Sequence, residues 1–223
     1  MIWENTEAEK LNIQVLYVRN ETVGEEHPDT ILAMGNLAST YSDLGKYTEA
    51  EKLQIQVLDG RKKALGEEHP DAILAMGNLA SIYSDVGKYI KAEMLEIQVM
   101  DASKKILGGD HPKTILAMGK LASTYSGLGK STEAEKLEIQ VLDVSKKILG
   151  EEHPNTIWAL GNLASTYNDL GKNTEAEKLQ IQVLDARKNF LGEEHPDTIL
   201  AMGNLASTYN DLGKYIEAEK LKI

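Results

Sequence analysis

The chain has 223 residues, 42% of them hydrophobic and only 5% aromatic, so aliphatic side chains and alanine must fill any core. Twenty-four Lys and Arg against 35 Asp and Glu leave a formal charge of -11, which repels phosphate backbones and anionic lipid surfaces and argues against a nucleic-acid or membrane partner. There is no cysteine, which removes disulfides, thiolate metal sites and cysteine nucleophiles together and fits a reducing, cytoplasmic setting.

The chain opens at the turn before a helix. Met1-Ile2-Trp3-Glu4-Asn5 lacks the basic-then-apolar pattern of a secretory signal, and no later run of about 18 apolar residues could span a bilayer. Residues 5–11, Asn-Thr-Glu-Ala-Glu-Lys-Leu, recur in order at 173–179. The spacing therefore predicts a leading helix over 4–23 that corresponds to the second half of a repeating unit.

The unit itself begins at His27-Pro28. His-Pro returns at His69-Pro70, His111-Pro112, His153-Pro154 and His195-Pro196, a fixed period of 42 residues. Residues 27–55 and 195–223 differ only at Ser42/Asn210, Thr48/Ile216 and Gln54/Lys222. A period of this size marks a stacked array. One array over 1–223 is expected, with repeats 27–68, 69–110, 111–152 and 153–194 and a truncated repeat 195–223.

Within a repeat the pattern predicts two helices. Pro28 suits a first helical position, where its missing N–H costs nothing, and Asp29 faces the positive end of the helix dipole. Ile31, Met34, Leu37, Ala38 and Tyr41 then recur at helical spacing. Asp43-Leu44-Gly45-Lys46 is a turn, with Gly45 supplying the left-handed conformation that ends helices. The second helix runs from Tyr47 to Leu65, with Ala50, Leu53, Val57 and Ala64 as its buried side, and Gly66 closes it. A hairpin of this kind cannot bury its stripe alone, so neighbours stack on a shared core.

Met34-x-x-Leu37-Ala38-x-x-Tyr41-x-x-x-Gly45-Lys46-Tyr47-x-x-Ala50 resembles the tetratricopeptide motif. The 42-residue period, with Leu65-Gly66-Glu67-Glu68-His69-Pro70-Asp71 between hairpins, resembles the kinesin-light-chain type. The wording Asn36-Leu37-Ala38-Ser39-Thr40-Tyr41 and Ala50-Glu51-Lys52-Leu53-Gln54-Ile55-Gln56-Val57 is most similar to the C-terminal arrays of fungal NOD-like receptor proteins. The resemblance implies an all-α, right-handed α-solenoid of stacked antiparallel hairpins, the tetratricopeptide superhelix. It further implies a protein or peptide ligand along a groove lined by the first helices. Neither end carries a polar capping helix, so the chain reads as part of a longer array with scope for end-to-end self-association through uncapped repeats.

Opposite the core face of the first helix lie Leu32, Asn36, Ser39 and Asp43. Their equivalents are Leu74, Asn78, Ser81 and Asp85; Leu116, Lys120 and Ser123, with Gly127 as the fourth; Trp158, Asn162, Ser165 and Asp169; and Leu200, Asn204, Ser207 and Asp211. By resemblance these form the floor of the groove. An Asn ladder offers donors and acceptors to an extended backbone, and the aligned Leu row gives apolar contact; the bland alternative is a solvated face that tolerates Asn and Ser. Trp158 replaces Leu, and Trp is a frequent interface anchor; otherwise it fills a gap between helices. Lys120 replaces Asn. Gly35, Gly77, Gly119, Gly161 and Gly203 sit mid-helix, each at a cost of about 1 kcal/mol relative to Ala. Close helix packing is the favoured explanation, clearance for a ligand backbone the other.

Features that mimic chemistry have structural explanations. The five histidines stand one per hairpin, so they form a row of helix starts and not a convergent zinc set. Glu49/Glu51 and Glu67/Glu68 lie where nothing buries them. Arg61-Lys62-Lys63 complements a helix C-terminus. No phosphate loop or nucleophile–base constellation is present, so no catalysis, cofactor or metal is expected. The near-absence of basic residues from the groove floor argues against capture of a carboxylate tail. The leading expectation is a protein-interaction array, specifically the sensing region of a fungal NOD-like receptor; a kinesin-light-chain-like cargo adaptor and an architectural spacer with an empty groove are the alternatives.

Overall fold

The computed structural model describes residues 2–221, which are helical throughout apart from short turns. Eleven helices are described: α1 (Ile2–Val23), α2 (Pro28–Asp43), α3 (Tyr47–Leu65), α4 (Pro70–Asp85), α5 (Tyr89–Leu107), α6 (Pro112–Gly127), α7 (Ser131–Leu149), α8 (Pro154–Asp169), α9 (Asn173–Leu191), α10 (Pro196–Asp211) and α11 (Tyr215–Lys220). They group into two compact units, Met1–Gly108 and Gly109–Ile223.

In the first unit α2 packs on α1 and α3, and α4 on α3 and α5. In the second, α7 packs on α6 and α8, and α9 on α8 and α10. Each unit is thus a run of helical hairpins in which every inner helix serves two neighbours, the all-α solenoid arrangement.

The His-Pro starts are N-caps of an unusual kind. His27, His69, His111, His153 and His195 hold extended backbone, and each Nδ1 accepts the N–H two residues on, at 3.1–3.2 Å. Imidazole here does what Ser or Asp does at most caps. Thr30 and Thr156, wholly buried, add a latch: their hydroxyls donate to the carbonyls of Gly24 and Gly150 at 2.7 and 2.8 Å. At the other end of α2, Gly45 has φ +71°, its N–H reaches Ser42 O, and Lys46 N–H reaches Tyr41 O at 2.8 Å. This 5→2 and 6→1 pair is a Schellman motif, which only a left-handed residue closes cheaply.

In the first unit Ile31, Met34, Val57, Leu58, Ile73, Met76, Leu79 and Tyr83 form one cluster. In the second, Met118, Leu121, Val141, Leu142, Leu160, Leu163 and Leu184 are buried in the same pattern. Each fully buried aliphatic contributes about 1.5–3 kcal/mol. Ala50, Ala92, Ala134 and Ala176 have no exposed surface. One expectation fails: Ala64 is exposed. The buried stripe of α3 runs through Ala50, Gln54, Val57 and Leu58 and leaves the core before the helix ends.

Outside, ion pairs join successive hairpins. Lys46 meets Glu9 and Lys88 meets Glu51 in the first unit; Lys172 meets Glu135 and Lys214 meets Glu177 in the second, all at 2.6–2.7 Å. Each of these lysines also sits 5.5–5.7 Å from the ring of the Tyr that ends its own first helix, within cation–π range. The hydrogen bonds to Glu hold Lys172 and Lys214 above the usual lysine range.

Candidate functional site

The residues singled out from the sequence lie on the face of the first helices that turns away from the core. Leu32 and Leu74 in the first unit are 53% and 56% exposed; Leu116, Trp158 and Leu200 in the second are 59%, 47% and 57%. Isolated exposed leucines are ordinary, but a row at one position in successive helices is not. Asn36, Asn78, Lys120 and Asn204 are exposed beside them, while Asn162 is half-buried. Ser39, Ser123, Ser165 and Ser207 are exposed, whereas Ser81 is half-buried and donates to Gly77 O at 3.0 Å. Asp43, Asp85, Asp169 and Asp211 are the exposed last residues of their helices.

In the second unit this face closes into a cavity of about 490 Å³ between α8, α9 and α10. Trp158, Asn162 and Ser165 line it from α8, and Leu200, Asn204 and Ser207 from α10. Asp169 and Asp211 are not part of its wall. The back wall comes from α9, through Gln180, Val183 and Arg187, residues that the sequence reading did not name. Their signal was present: a polar residue recurs inside the apolar stripe of each second helix, as at Gln54 and Gln180. Gln180 is 6% exposed and its buried Oε1 has no hydrogen-bond partner, which leaves an acceptor unsatisfied in the wall.

A second, more apolar cavity of about 350 Å³ lies between α6, α7 and α8, with Leu116, Ile115, Ile148 and Trp158 in its wall. Arg187 crosses the corresponding space beside α10 and donates to Asp197 O at 2.7 Å; the position holds Ser145 here, buried and too short to cross. Trp158 therefore borders both cavities.

The mid-helix glycines do not mark tight packing. A Cβ on Gly35 would come no nearer than 3.9 Å to Val57, one on Gly77 no nearer than 4.0 Å to Val99, and at Gly161 and Gly203 nothing lies within 4 Å. The expectation of close helix approach is overturned, because no neighbouring helix comes close enough at these four glycines to crowd a methyl group. Gly119 alone has a near neighbour: its Cβ would meet Trp158 Cζ3 at 3.4 Å. The indole lies against this glycine and remains half exposed.

Among the described residues no group of three or more His, Asp or Glu could hold a metal ion, and no helix is long and apolar enough to cross a membrane. Burial pushes the Glu138 carboxyl up to about 7, with a hydrogen bond from Thr166 opposing the rise and Asp169 and Glu135 adding to it.

Two tetratricopeptide-repeat families match, one over residues 72–147 and 158–222 and the other over 3–29 and 30–71. Crystal structures of the nearly identical TPR-like repeats of a Podospora anserina protein assigned to the kinesin light chains are 32% identical, with TM-scores of 0.78 and 0.77. In the first of them the match covers 87% of this chain and 92% of that one. BtubC (BKLC) from P. vanneervenii is similar in fold, with 22% identity, 99% of this chain and 86% of that one covered, and a TM-score of 0.75. No curated protein matches. With helical hairpins of fixed period, family matches across most of its length and these solved relatives, the chain belongs to the tetratricopeptide-repeat family and has the kinesin-light-chain-like fold.

Proposed function

We propose that the chain is a protein-interaction scaffold that takes an extended segment of a partner protein along the exposed face of its first helices. One observation carries this reading: the cavity between α8 and α10 joins a Trp and a Leu to Asn162, Asn204 and an unpartnered buried Gln180. Amides of this kind suit a peptide backbone, which offers donors and acceptors alternately. The open space above Gly161 and Gly203 gives that backbone room to approach.

Of the finer readings, a kinesin-light-chain-like adaptor is better supported than the sensing arm of a NOD-like receptor, because the relatives at 32% identity are assigned to the kinesin light chains. A cytoplasmic setting and end-to-end self-association belong to the same proposal; a sedimentation series that finds only monomer at all concentrations removes the second.

Panning a displayed library of random peptides against the protein tests the scaffold reading. Enriched peptides should lose about tenfold or more in affinity for Trp158→Ala and Asn162→Ala, since truncating a hot-spot residue costs about 2 kcal/mol, while helical circular dichroism stays unchanged. Failure to enrich any peptide would make the array a spacer, and undiminished binding to both variants would take the site off this face.

A further inference from the structure

A row of buried polar side chains runs through the second helices at multiples of the 42-residue period, and groove recognition uses only one of them. In the first unit the row holds half-buried Asn12 and buried Gln54, amides that donate to the next first helix, and then Glu96 on α5, 4% exposed. Asn12 Nδ2 donates to Thr40 Oγ1 at 2.9 Å, and Gln54 Nε2 donates to Ala75 O at 3.1 Å. In the second unit the row continues with Glu138 on α7 and Gln180 on α9, 5% and 6% exposed.

Like Glu96 before it, Glu138 puts a carboxyl where Asn12 and Gln54 place a donor, and an ionised carboxylate only accepts. The Thr166 hydroxyl of α8 hydrogen-bonds the carboxyl, but Oε2 is buried without a partner. The carbonyl equivalent to the one that Gln54 reaches is Ala159 O on the same helix. No cation compensates. Asp169 on α8 and Glu135 on α7 both oppose ionisation, and Tyr167 on α8 also feels the carboxyl. Lys172, the cation on this side, is held by Glu135 at 2.6 and 2.8 Å. None of the ionisable residues of α6, Lys113, Lys120 and Tyr125, bears on the carboxyl.

We propose that Glu138 is a proton-dependent joint between α7 and α8: protonated, it takes the part of the amides in its row and donates across the step, and ionised it weakens the stacking of the two helices. The sign follows from burial. The folded group holds its proton up to about pH 7, the unfolded one only to the ordinary carboxyl range. Its stabilising contribution is complete below about pH 4.5, is lost through the interval up to about pH 7, and is constant above that.

Glu138→Gln places in the joint the residue already used at 54 and 180, so the variant keeps the array intact. Urea unfolding of the full chain and this variant should be compared from pH 4.5 to 8. The ratio of their unfolding constants should change by about tenfold per pH unit between pH 5 and 6.5 and level off above 7 in favour of the variant. A ratio independent of pH overturns the proposal. Carbon-13 NMR of the Glu138 carboxyl in the folded chain gives a second reading: a midpoint near 7 supports the joint, and one in the ordinary carboxylate range overturns it.

Discussion

Trp158 shows how single residues individualise an array built from near-copies. Its indole lies over Gly119 and borders two cavities, so replacing Gly119 by Ala should gain less stability than the same change at Gly161 or Gly203, where a methyl meets open space. Those two variants should each raise urea-unfolding stability by about 1 kcal/mol, the ordinary helix preference of Ala over Gly. If the glycines also clear space for a bound backbone, Gly161→Ala should weaken the selected peptides while strengthening the fold, a split that a purely structural glycine would not produce. The cap histidines make a plainer case. His69→Ala removes the acceptor for Asp71 N–H and should cost about 1 kcal/mol in the same measurement. At this scale the sequence was only partly readable. The helix-start role of the histidines, the left-handed Gly45 and the exposed Leu and Asn row could be seen in it. The emptiness around the glycines could not, because spacing along one helix says nothing about how near its neighbour comes.

Between elements, the aliphatic side chains buried between helices carry the stability. Leu121 on α6 is 1% exposed, and Leu121→Ala should cost about 2–5 kcal/mol, the range set by lost transfer energy plus the cavity left behind. Thermal unfolding of the full chain checks it. The ion pairs between hairpins should matter far less. Lys172→Ala should shift the melting temperature by much less than Leu121→Ala, and by less again in high salt, since exposed pairs are screened. The first helices were legible as amphipathic stripes. The second helices were misread in part, with Ala64 assigned to the core and Gln54 left out of it, because a hydrophobic pattern penalises a polar residue that is buried with its hydrogen bond made. That same blind spot concealed the α9 wall of the groove and the Glu138 joint.

For the whole chain, the repeat alone led to the family, since a 42-residue period admits few architectures and the matched families span most of the sequence. The partner was not legible, because an Asn and Ser face advertises backbone recognition without specifying side chains. The charge of -11 does make one exclusion testable: the protein should show no binding to duplex DNA by fluorescence anisotropy at physiological salt, where attraction to phosphates is the main source of non-specific affinity.

The near-identity of the hairpins also sets a hazard for folding. Residues 27–55 and 195–223 differ at three positions, so a segment from one molecule fits almost as well into the corresponding berth of another. Crowded refolding should therefore trap exchanged multimers that dilute refolding avoids, as is characteristic of repeat proteins. The odd residues, Trp158 over Gly119 and Gly60 making room for Ile31, then acquire a further role: they are the few serial numbers by which the chain tells one of its own pieces from the next.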